Sequence, residues 1–220
     1  ARTYTRGDPN RVPGLTLQTD AHVLLKRPPG DAFQGFVVFS AEHGPLHVLQ
    51  RLPGKKSAAG RTPLDLFDEV ALQLESSNQG QTWFVKEVQL RHRPAGIGRS
   101  YETLRHASDF AALIARNRVP EEGRAKVGAL LAKVFAAFAG STRPDLVHFK
   151  ALYSFARDEG YPVGQQWLPT LPATLRRLAD DILHRPLTEL EADGIDVVQT
   201  GLLHRRLEEY LRGHTEVLLD

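Results

Sequence analysis

"FQGFVVFSAEHGPLHVLQR", residues 33–51, decides the fold. Its two flanks, 33–40 and 45–51, are rich in β-branched and aromatic residues, and "EHGP" at 42–45 separates them. Val and Phe suit a pleated, half-buried surface, while a Gly-Pro pair interrupts any regular element. Two strands joined by a short turn are therefore expected. Glu42 and His43 stand side by side in that turn, a pairing that acid–base chemistry uses. Such chemistry needs a cleft and a third group to orient the base. Placed before Gly44-Pro45, the pair reads instead as turn-shaping.

Period two continues outward from this hairpin to about residue 90. "HVLLKR" (22–27), "PLDLFDEVALQLES" (63–76) and "TWFVKEVQL" (82–90) read as further strands, separated by "PPGD" (28–31) and "SSNQGQ" (76–81). In 63–76, Leu64, Leu66, Val70, Leu72 and Leu74 share one parity; Phe67 and Asp68 interrupt it and predict a bulge. Five short strands suit a small barrel or sandwich. After "RHRPAGIGRS" (91–100) the period becomes 3.6, with helices expected over 101–116, 121–139, 145–159, 172–184 and 197–212. Tyr101, Leu104, Ala107, Ala111 and Ile114 form the apolar stripe of the first. Phe135 and Phe138 are expected to pack with Phe149, Leu152 and Phe155, and Gly160 with Pro162 stops the third helix. The "GIG" at 96–98 lacks the frame of a phosphate-binding loop and reads as flexibility.

A chain of 220 residues, 41% hydrophobic and 25% charged, has globular composition and room for one or two domains. It contains no cysteine, which excludes disulfides, thiolate nucleophiles and cysteine-held zinc. The nine histidines show neither HxH nor HExxH, and no serine sits in GxSxG or SxxK, so neither a metal, a cofactor nor an enzyme activity is expected. The sequence has no run of 18 apolar residues and no apolar leader, and it opens on Ala1, which reads as a processed start. A soluble, cytoplasmic protein with no membrane contact is the expectation.

Charge is uneven although the net is only +2. Residues 1–95 carry 12 Lys/Arg against 9 Asp/Glu, and residues 96–220 carry 16 against 17. The excess gathers at strand ends: Lys26 and Arg27; Arg51, Lys55, Lys56 and Arg61 with Gly54 and Gly60; Arg91, His92, Arg93 and Arg99. One such cluster is ordinarily a solvated face. Three on one small β-domain suit a phosphate backbone, because Lys and Arg release counterions and glycine permits close approach. Phe33, Phe36 and Trp83 either fill the core or stack bases. In the helical half, Arg116, Arg118, Arg124 and Lys150 flank what is either plain core or a groove for a short peptide.

"RPPGD" (27–31), "FVVFSAEHGPLHVLQRLPGKKS" (36–57), the "LFDEVALQL" strand and "FKALYSFARDEGYPV" (149–163) together resemble RecO, the bacterial recombination mediator. Ser40-Ala41-Glu42-His43-Gly44 matches that family's turn, and Arg51, Gly54, Lys55, Lys56 and Ser57 match its basic loop. The resemblance spans nearly the whole chain, with 37–57 its specific part. It implies an α+β fold: a five-stranded OB-fold barrel at 1–90, a linker at 91–100 and an α-helical domain at 101–220. It implies a non-enzymatic DNA-repair protein, cytoplasmic and nucleoid-associated, that binds single- and double-stranded DNA and anneals strands. Such a protein contacts RecR and the acidic, Phe-ended tail of single-strand-binding protein, promoting RecA loading. DNA contacts are then expected from Lys26, Arg27, Arg51, Lys55, Lys56, Arg61, Arg91 and Arg93. Peptide contacts are expected from Arg116, Arg118, Arg124 and Lys150. Many relatives carry four zinc-binding cysteines after Gly-x-x-Pro; here the chain runs "VGQQWLPTLP" and has none. The competing class is an adaptor whose OB-fold binds protein instead of DNA.

Overall fold

A computed structural model describes residues 14–52, 62–76 and 78–219. Five strands, β1 (Leu15–Lys26), β2 (Phe33–Ser40), β3 (Gly44–Arg51), β4 (Glu69–Ser76) and β5 (Trp83–His92), close into a barrel in the order β1-β2-β3-β5-β4. All pairings are antiparallel except β3 with β5. The alternation read from the sequence turns Val23, Phe36, Val38, Val48, Val70, Leu72, Leu74 and Trp83 into the barrel. A barrel followed by helices is the architecture expected.

Closure depends on β1, which starts at Leu15 rather than at His22. Leu15–His22 pairs with β4 and His22–Lys26 with β2, with a register shift between Val23 and Leu25. The irregularity bends one strand enough to serve two neighbours. Strand four is correspondingly shorter than expected. Residues 62–68 form a strap instead, because Phe67 takes a left-handed φ of 67° that no strand can contain. Two backbone bonds of 2.9 Å hold it, Phe67 N–H to the Val23 carbonyl and Val23 N–H to the Asp68 carbonyl. Leu64 plugs the barrel core while the Phe67 ring meets Phe135 edge-on at 5.1 Å.

The helices are α1 (Tyr101–Arg116), α2 (Glu121–Gly140), α3 (Pro144–Asp158), α4 (Ala173–His184), α5 (Leu187–Ala192) and α6 (Val197–His214). Ser100 caps α1 by accepting from Thr103 N–H at 3.0 Å. Gly160, at φ +90°, ends α3, and a π turn over Val163–Trp167 seats the buried Trp167. The six-residue α5 is too short to show a period. Of the stripe read on α1, Ala107, Ala111 and Ile114 are buried, joined by Thr103, Phe110 and Leu113, while Leu104 is exposed and Tyr101 is 79% exposed.

The segment 91–100 corrects the reading of it as a flexible linker. Strand β5 continues through His92, and Ala95–Arg99 forms a 3₁₀ turn with Ile97 buried. A Cβ on Gly96 would fall 2.0 Å from the Ala139 carbonyl oxygen, so glycine serves close approach there. Leu24, Phe39 and Phe67 of the barrel half join Phe110, Phe135 and Ile97 in one core, so the helices pack onto the barrel. Among the described residues no helix is long and apolar enough to cross a membrane.

Candidate nucleic-acid interface

The strap 62–68 collects the C-terminal ends of three strands. Gln50 of β3 donates to the Thr62 carbonyl at 2.9 Å and accepts from Leu64 N–H at 3.0 Å. Lys26 of β1 meets Asp65 at 3.2 Å. Arg93, just past β5, donates to Asp68 at 2.7 and 2.6 Å and to the Pro63 carbonyl at 3.1 Å. Basic groups separate in sequence thus reach one end of the barrel.

Beside that end, the outer face of β2, β3 and β5 carries an aromatic pair. Phe33 and Phe84 approach edge to face with centroids 5.5 Å apart. Phe33 lies opposite Arg51 in the β2–β3 ladder, Gly35 opposite Leu49, and Leu49 opposite Phe84. Both rings are half-buried, so each keeps surface toward solvent. The stem of Arg27 runs over Gly35, where a Cβ would stand 3.5 Å from it, and Arg27 N–H bonds the Gly35 carbonyl at 2.9 Å. Arg51 and Lys86 line a cleft of about 330 Å³ with Gln50, Thr62 and Glu87. The chain leaves this face at Leu52, whose N–H bonds the Ala32 carbonyl at 2.9 Å, and returns at Thr62 on Gln50. Lys55, Lys56 and Arg61 lie between those anchors and outside the described residues.

The remaining cations of the expected DNA set are placed differently. Lys26 and Asp65 are both largely exposed, so their pair exchanges readily with solvent or a ligand. Arg93 is committed to the fold: Asp68 is fully buried, and its hydrogen bonds hold the guanidinium proton more firmly than usual. A guanidinium matched by a buried carboxylate brings little attraction for phosphate, and we remove Arg93 from the interface. Arg91 stands on another face, 3.7 Å from Asp20, in a polar cleft that also contains Glu42 and Glu87. Phe36 and Trp83 fill the barrel and cannot stack bases. Phe84 and Lys86 were missed, although the alternation of "TWFVKEV" carried the signal: with Trp83 inward, Phe84 must point out. Lys86 pairs with Glu75.

Glu42 and His43 are exposed and 3.5 Å apart, and their backbone N–H groups donate to the buried Ser40 hydroxyl at 3.1 and 3.2 Å. Gly44 completes the turn at φ +73°. This is the turn-shaping role expected. The four cations read as flanking a peptide groove do not converge. Arg124 donates to the Glu42 carbonyl at 3.2 Å and docks α2 on the barrel. Lys150 donates to the Ile182 and Arg185 carbonyls, both at 2.7 Å, capping α4, and burial lowers its ammonium pKa. Arg116 reaches the Leu219 carbonyl at 3.4 Å, and Arg118 is exposed. No protein-family model matches this chain, and no curated protein matches it.

Proposed function

We propose that this chain is a non-enzymatic DNA-binding protein of recombinational repair, holding single-stranded DNA on the outer face of β2, β3 and β5. The observation that carries the reading is the half-exposed Phe33–Phe84 pair, bordered by Arg27, Arg51 and Lys86 and adjoining the anchors of the basic loop. Unpaired bases stack on aromatic faces while the cations follow phosphates, and neither interaction selects sequence. A duplex hides its base faces, so double strands would engage the cations alone. Binding two single strands in this indifferent way suits annealing.

The resemblance of 36–57 and 149–163 to RecO supplies the rest of the proposal: contacts with RecR and with the single-strand-binding protein tail, RecA loading, and a cytoplasmic, nucleoid-associated location. Arg51, Lys55, Lys56 and Arg61 form the cationic loop of that reading. The alternative, a protein-binding adaptor, is separated from it by fluorescence anisotropy of labelled oligonucleotides at two salt concentrations. Saturable binding that weakens steeply with salt supports the DNA reading; absence of binding at low salt supports the adaptor.

A further inference from the structure

Three histidines scattered in sequence, His106 on α1, His148 on α3 and His204 on α6, meet in one cluster. His106 and His148 face each other through their Nδ1 atoms at 2.9 Å, and the His148 and His204 rings lie 4.4 Å apart. They border an open cleft of about 670 Å³. Their hydrogen bonds fix the tautomers. Arg105 has only donors and meets His106 Nε2 at 3.0 Å, so that nitrogen accepts and neutral His106 carries its proton on Nδ1. His148 Nδ1 therefore accepts, and its own proton sits on Nε2. A proton added to either ring breaks one of these bonds. His204 Nε2 lies 3.3 Å from Glu208, and that hydrogen bond holds the Glu208 carboxyl below its usual range.

The charges facing the cluster are unequal. Asp109 is engaged by Arg105 at 3.3 Å, Asp145 by Arg143 at 2.7 Å, and Glu208 by His204. Arg116 and Arg205 also line the cleft, and neither has a carboxylate within ion-pair distance among the described residues. Burial, with His204, His106 and Arg105, holds His148 well below the usual imidazole range; burial and Arg105 lower His106. The cleft thus sets Arg116, bonded to the Leu219 carbonyl, and Arg205, which acts on Glu208 from beyond ion-pair distance, beside the His106 and His148 rings that burial keeps neutral.

We propose that this cleft is an oxyanion site, taking a phosphate-class dianion between Arg116 and Arg205. Its volume leaves room for the organic part of a phosphomonoester. The inference is independent of DNA binding by the barrel.

Sulfate is the probe, because it stays a dianion across the pH range and its own titration does not intrude. Calorimetry on the full chain, at ionic strength matched with chloride, should show saturable binding near the millimolar range at pH 6.0. Arg205→Ala and Arg116→Ala should each weaken it at least about tenfold, a full ion contact in a partly enclosed site. Both variants should bind oligonucleotides normally. The proposal is overturned by sulfate binding no better than chloride, by full binding in Arg205→Ala, or by acetate competing as strongly as sulfate.

Discussion

Arg93 shows how a single residue changes role once its partner is known. In the sequence it is one more cation after a strand; in the fold it is bidentate on Asp68, whose carboxylate is fully buried. Removing a partner from such a pair leaves a charge without compensation. Because the guanidinium is itself about two-fifths exposed, solvent recovers part of the loss. Arg93→Ala should therefore destabilise by about 2–3 kcal/mol in urea unfolding, below the range for fully buried pairs. Its oligonucleotide salt slope should be unchanged. Protonation acts on the same scale. His22, His106 and His148 all have lowered folded-state pKa values, with burial the largest cause in each. Below the unfolded value near 6.5 the unfolded chain binds more protons, so stability present above about pH 6.5 is lost as pH falls. Urea midpoints should drop between pH 7.5 and 5.5, and His148→Gln, at whatever cost in stability, should flatten that drop.

At the scale of elements, two neighbouring glycines separate close approach from chain freedom. Gly96 faces the Ala139 carbonyl at 2.0 Å from an ideal Cβ, whereas nothing lies within 4 Å of one on Gly98. Gly96→Ala should cost about 1–3 kcal/mol, the usual penalty for forcing atoms into a packed joint. Gly98→Ala should stay within about 0.5 kcal/mol. Thermal unfolding of the two variants checks the contrast. That joint also marks where sequence reading stopped working. Strands β2 and β3 and the long helices were legible because one buried face imposes a period of two or 3.6. The strap was legible only as a bulge at Phe67 and Asp68, because Leu64 and Leu66 keep strand parity up to the left-handed Phe67 that ends the pairing. Tertiary packing, not local composition, decides that Gly96 is a contact and Arg124 a dock. The histidine triad was invisible for the same reason: its members come from three helices, 42 and more residues apart.

For the whole molecule, the barrel's outer surface divides into unlike faces. The β1–β4–β5 side holds Asp20, Glu42 and Glu87 around Arg91, and the β2–β3–β5 side holds the aromatic pair with Arg27, Arg51 and Lys86, with Glu87 lining its cleft and Glu75 paired to Lys86. A polyanion meets three carboxylates around one guanidinium on the first, and on the second a stacking surface where Arg27 and Arg51 add to the paired Lys86. Losing Arg27 and Arg51 together should make the single-strand salt slope shallower by roughly 1.4, at about 0.7 per phosphate contact. Losing the rings should act on affinity alone. The most direct test is therefore anisotropy of a labelled single-stranded oligonucleotide with the Phe33→Ala, Phe84→Ala double variant across a salt series. The account predicts affinity lower by about 1–3 kcal/mol per stacked base, an unchanged salt slope and unchanged duplex binding. Wild-type affinity for single strands in that variant, with its fold intact by circular dichroism, would contradict it.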